Sequence, residues 1–172
     1  MAIIGNMADL RQVHLRLAHE GPFDLATARP LLEAPGWLGA EVGGGQPGVR
    51  RFEMDLVLPL RTGRPRTVLR KAAFVDVGAV TRIDGGLRVS IGWRSATLAP
   101  LFPVFAGQLE IHVAGLTLEG WYAPPGGEAG RLLDRALLGT AARGTARWFL
   151  EHVAVALSAK RGDARLEAPQ PR

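Results

Sequence analysis

A chain of 172 residues, 47% hydrophobic and 22% charged, has the length and balance of one soluble globular domain with a substantial core. No apolar run approaches the length of a membrane span, and the first residues lack the basic start and apolar centre of a secretory signal. Without a cysteine there is no disulfide, thiolate metal site or cysteine nucleophile, and the cytoplasm is the expected compartment.

Residues 10–18 (LRQVHLRLA) set Val13, Leu15 and Leu17 against Gln12, His14 and Arg16, the alternation of a half-buried strand. Gly21-Pro22 breaks it. Leu25, Ala28, Leu31 and Leu32 then recur at helical spacing, with Asp24 placed to cap the first turn. Pro30 interrupts that pattern and Pro35-Gly36 stops it, so two short helices or one broken one are expected, with Trp37 anchoring the exit. The glycine-rich stretch EVGGGQPGV reads as a loop.

Strands follow at hairpin spacing. Phe52, Met54, Leu56 and Leu58 face one way and Arg51, Glu53 and Asp55 the other. TVLRKAAFVDV is a strand of open register, since both faces carry apolar residues. Asp84-Gly85-Gly86 turns into a strand with Leu87, Val89, Ile91 and Trp93 on one face. The two prolines of APLFPVF predict an edge or corner. Leu109, Ile111 and Val113 then alternate with Gln108, Glu110 and His112, and Gly115 permits a tight turn into LTLEGWYA.

The net charge of +5 has one source. Residues 42–75 hold Arg50, Arg51, Arg61, Arg64, Arg66, Arg70 and Lys71 against Glu53 and Asp55, which accounts for the whole excess. These cations alternate with apolar residues and are not interleaved with aromatics. They read as a solvated strand face, and no nucleic-acid partner is expected.

Residues 121–157 end a strand, turn a Pro-Pro-Gly-Gly corner and then run as a helix of about 30 residues, against a usual length near 11–12. Projected at the helical period, Leu133, Leu137, Ala141, Gly144, Trp148 and Val155 share a face, with Leu138, Phe149 and Ala156 at its flank and Arg135, Arg143 and Arg147 roughly opposite. Asp134 and His152 project near that face. They stand roughly 27 Å apart along a helix and cannot form a catalytic pair. Residues 161–172 read as a polar, frayed tail, matched by a flexible start at residues 1–9, with a single domain over 10–160.

The four histidines never fall at metal-binding spacing, GGGQPG lacks the lysine of a phosphate loop, and no serine sits in a nucleophile elbow. No cofactor or metal is expected, and no catalytic residue is assigned.

The order strand, short helices, antiparallel strands and one long C-terminal helix resembles the START-like (SRPBCC) helix-grip superfamily. Its most specific stretch is LFPVFAGQLEIHVAGLTLEGWYAPPGGEAGRLLDRALL, residues 101–138, which is similar to the bacterial polyketide cyclase/dehydrase-like branch. Trp121 departs from that pattern by standing between Gly120 and Tyr122. The resemblance implies an α+β fold in which a curved antiparallel sheet of about seven strands wraps the long helix around an apolar cavity. It implies walls at Phe52, Met54, Trp93, Ile111, Tyr122, Leu137, Ala141 and Trp148, and polar groups at Arg70, Tyr122, Asp134 and His152.

Three functions remain open on the sequence: a carrier or sensor for a small hydrophobic molecule, an aromatase/cyclase- or dehydratase-like enzyme using the same cavity, and an interaction module with a filled core. Either a monomer or a homodimer is compatible with an exposed strand edge.

Overall fold

The computed structural model describes residues 13–43, 46–60, 67–96, 104–123 and 135–166. The strands are β1 (Val13–Glu20), β2 (Ala40–Val42), β3 (Arg50–Leu60), β4 (Thr67–Val77), β5 (Thr81–Ile83), β6 (Gly86–Ser95), β7 (Val104–His112) and β8 (Gly115–Ala123). The helices are α1 (Leu25–Glu33) and α2 (Arg135–Leu166). All eight strands join one antiparallel sheet in the order β1-β8-β7-β6-β4-β3-β2, with β5 paired to β6. The fold is thus α+β, a large antiparallel sheet with a C-terminal helix.

The described residues form eight strands against about seven expected, and β2 and β5, at three residues each, are too short to show a period. Of the two short helices or one broken helix expected between β1 and β2, the structure has a single unbroken one, α1. Asp24 caps it by accepting from the Ala26 N–H at 3.0 Å. The helix runs through Pro30, which is exposed. Water can therefore satisfy the Ala26 carbonyl that the proline leaves without its usual donor. Arg50 closes the other end of α1, donating to the carbonyls of Leu32 (3.0 Å) and Ala34 (2.7 Å) while holding Glu41 of β2 at 2.8 Å. Positive charge suits the carbonyl end of a helix.

The 32 residues of α2 match the expected length, and the helix continues to Leu166, into the segment read as a frayed tail. Its packed face differs from the projection. Ala142, Thr145, Ala146, Phe149, Leu150, Val153, Ala154 and Leu157 are buried. Val155 is 69% exposed and Gly144 and Trp148 are only half-buried, so the stripe chosen from sequence lies on nearly the opposite side. Alanines spread apolar character around the whole helix, which made Trp148 and Val155 misleading anchors. The polar positions were the better guide: Arg143, Arg147, Glu151 and Ser158 are all exposed.

α2 lies most extensively against β3, then against β1, α1 and β8, and the central strands β4, β6 and β7 have no comparable backbone contact with it. β1 and β3 stand towards opposite ends of the sheet, and α2 reaches both. Two features make that contact possible. First, β2 covers only residues 51–53 of β3, and beyond that point the buried Thr145 donates its hydroxyl to the Val57 carbonyl at 3.0 Å. Second, Gly107 and Gly120 are paired across β7 and β8. A Cβ on Gly107 would lie 2.7 Å from the tip of the Phe105 ring, and one on Gly120 2.8 Å from it. The glycine pair lets that ring lie down on the sheet.

Two stability measurements check this. Thr145→Val should lower unfolding stability by about 1–2 kcal/mol in urea, with Thr145→Ser recovering most of it, because only the hydroxyl is lost. Gly120→Ala should cost about 1–3 kcal/mol by overpacking against Phe105 and the Ala106 carbonyl.

Candidate ligand-binding site

Strand register assembles a row of side chains that no single strand contains. Phe52 of β3 pairs with Val75 of β4, Val75 with Trp93 of β6, Trp93 with Phe105 of β7, and Phe105 with Tyr122 of β8. All five are buried, on the face turned towards α2. Trp93 and Phe105 stack at 4.1 Å between centroids and 18° between planes, and Phe149 of α2 approaches Trp93 at 5.5 Å. Trp37, in the turn after α1, meets Phe52 edge-on at 6.2 Å. An aromatic layer therefore bridges the middle of the sheet to the helix where the backbones stand apart.

Two polar atoms within this row lack hydrogen bonds. The Trp93 Nε1–H is buried and has no partner among the described residues. The Tyr122 hydroxyl sits against Gly139, where a Cβ would lie 3.3 Å from it, and makes no hydrogen bond among the described residues. Burial pushes the Tyr122 phenol above its ordinary value of 10.0, with the nearby Arg143 charge acting in the opposite sense. The phenol keeps its proton at neutral pH and can act as a donor.

Of the residues expected from sequence, Phe52, Trp93 and Tyr122 come together in the row. Met54 is the next inward residue of β3 and is half-buried against the same core. Ile111 is buried but stands six residues along β7 from Phe105, roughly 20 Å away at strand rise, near the other end of the sheet. Two polar candidates are displaced from the enclosed face: Arg70 is exposed on β4, and His152 is exposed on α2. His152 stacks on the half-buried Trp148 at 5.2 Å, a pair on the flank of the helix. Their positions follow from the rotated packing face of α2. Leu137 and Ala141 belong to α2, where only their backbone is described, and Asp134 lies outside the described residues.

Sequence reading missed Val75 and Phe105, and it set Phe149 at the flank of the helix face without naming it as a site residue. For Phe105 the signal was present: counting back by twos from Ile111 and Leu109 through Gly107 reaches it. The prolines at 100 and 103 suggested a corner instead. Val75 was hidden because β4 carries apolar residues on both faces.

The outer surface carries ion pairs. Arg51 holds Asp76 through bonds of 2.6 and 3.0 Å, and Arg88 holds Glu110 at 2.8 Å. Hydrogen bonds from Arg50 and Arg88 hold the Glu41 and Glu110 carboxyls below their ordinary range. Among the described residues no three His, Asp or Glu side chains converge as a metal site, and no helix is long and apolar enough to cross a membrane.

The chain matches no protein-family model and no curated protein.

The chain contains a single tyrosine, so alkaline titration of phenolate absorbance reads Tyr122 alone. Its midpoint in the folded protein should lie above 10, and in urea it should return to about 10. Because the folded value is the higher one, the linked stability is intact below pH 10 and falls as pH rises through the folded midpoint. Tyr122→Phe should remove that component of the alkaline decline.

Proposed function

We propose that this protein is a helix-grip binding protein of the START-like kind, a carrier or sensor for a small hydrophobic molecule held between the sheet and α2. One observation carries the reading: α2 lies against both ends of the sheet while the central strands stand off, and a row of large apolar side chains faces the helix across that separation. The element order supports the same fold, since one helix-bearing connection follows β1 and the long helix comes last. Sites for small molecules are typically apolar enclosures with few polar groups, and the row from Phe52 to Tyr122 has that composition.

The enzyme reading draws less support. Arg70 and His152 are exposed, and Tyr122 is less acidic than a free phenol, which suits it to donating a hydrogen bond and not to acting as a base. The separate reading of a filled interaction module predicts a protein that takes up nothing.

Native mass spectrometry of protein purified from its own host should reveal one co-purified small molecule per chain. The neutral probe N-phenyl-1-naphthylamine should bind saturably to delipidated protein and be displaced by that molecule. A chain that carries no small molecule and leaves the probe fluorescence unchanged would rule the binding function out.

A further inference from the structure

The stripe that the helical period picks out on α2 has no place in the ligand-binding face. Gly144, Trp148 and Val155 lie within about 40° of one another around the helix, and the buried Ala146, Phe149, Leu150 and Val153 occupy its other side. Val155 is the most exposed large apolar side chain among the described residues, at 69%. α2 is therefore apolar on two opposite faces, whereas a helix with one neighbour carries one apolar stripe. Charges border the outer stripe on one flank. Arg147 and Glu151 stand there one turn apart, both exposed, and neither makes an ion pair with a described residue. Arg143 is also exposed, further round the same flank and away from the stripe. His152 borders the other flank, stacked on Trp148 at 5.2 Å.

We propose that this outer face of α2 is a homodimer interface, across which a second copy of the chain lays its own α2 in antiparallel orientation. The face is self-complementary in that orientation. A twofold axis relating two antiparallel helices brings like flanks together, so the Arg147–Glu151 flank of each copy meets the same flank of the other. With the axis between residues 149 and 150, Arg147 stands opposite the second copy's Glu151, Gly144 opposite its Val155, and Trp148 opposite its His152. Each pairing lies within one residue of exact opposition, about 1.5 Å along the axis, and each occurs twice. Val155 then meets a position without a side chain, and alternating large and small residues lets two helices interdigitate. A parallel arrangement would set Arg147 against Arg147 and Val155 against Val155, and like charges repel. The proposal does not depend on ligand binding, since the stripe faces away from the sheet. Residues 144–155 span about 17 Å of helix, a narrower seam than permanent dimers use, so the dimer should dissociate on dilution.

Sedimentation velocity over a dilution series should show a monomer–dimer equilibrium for the wild type. Glu151→Arg should weaken the dimer about tenfold, the value of two surface ion pairs, and Arg147→Glu should do the same. The double variant Arg147→Glu/Glu151→Arg exchanges the charges and should return to within about threefold of wild type. Val155→Asp should leave a monomer. Circular dichroism should show the helix intact in every variant, because all three side chains are exposed. Crosslinking reads the register directly, since the chain has no cysteine of its own. Gly144→Cys and Val155→Cys proteins, mixed and oxidised, should crosslink to each other. Val155→Cys alone should not, its two copies standing about 17 Å apart along the axis. A wild type that stays monomeric at millimolar concentration would overturn the proposal. A dimer indifferent to Glu151→Arg and Val155→Asp would place the contact elsewhere, such as the β1 edge, and overturn it equally. So would a dimer that the charge exchange fails to restore, or one in which Val155→Cys crosslinks to itself.

Discussion

Contact of one helix with strands from opposite ends of the sheet is the constraint from which the rest of this fold follows. β1 pairs only with β8, and β3 has β2 along only three of its residues. Unpaired edges offer their backbone groups to any other strand unless something covers them. α2 packs against both strands, and Thr145 donates its hydroxyl to the Val57 carbonyl of β3. The helix meets strands from opposite ends of the sheet, and large side chains bridge the central strands to it. Phe52, Phe105 and Phe149 are among them, and full burial stabilises by roughly 1.5–3 kcal/mol for each such side chain. Gly107 and Gly120 belong to the same solution, because the Phe105 ring occupies the space that their side chains would take.

The same geometry decides what chemistry the enclosed face can support. Residues that cross-strand pairing brings together in the row are apolar or neutral. Histidine and arginine candidates are carried on surfaces turned away from it, His152 beside Trp148 and Arg70 on β4. What remains inside is an indole N–H and a phenol O–H, both donors and both set in apolar surroundings. Such groups can donate hydrogen bonds. Proton abstraction needs a base, and the phenol is pushed away from that role by its burial.

How much of this was legible in the sequence depended on the range of the signal. Alternation along one strand was enough to place Phe52, Leu56, Leu87, Val89, Ile91 and Trp93 on the buried face, and all of them are buried. The three-residue strands β2 and β5 carry no period and could not be read. The face of α2 was misread because alanine is apolar enough to bury and small enough to leave exposed, so the apolar stripe has no sharp boundary. Cross-strand neighbours were beyond reach altogether. That Trp93 lies between Val75 and Phe105 is a fact of register, fixed by turns and pairings far apart in the chain. The candidate site is a row across strands, and only its individual members could be nominated.

The charge excess has a partly internal explanation. Among the described cations between residues 42 and 75, Arg50 is committed to the carbonyl end of α1 and to Glu41, and Arg51 to Asp76. Each also lies over an aromatic ring, Arg50 over Phe52 at 4.9 Å and Arg51 over Phe74 at 5.7 Å. A cation held this way has exchanged part of its reach towards a polyanion for fixed partners within the fold, and Asp76 raises the proton affinity of Arg51 further. Arg50 matters most, since it joins α1, β2 and β3 at one point directly behind Phe52. The guanidinium that looked from sequence like part of a solvated face is therefore a brace for one end of the aromatic row.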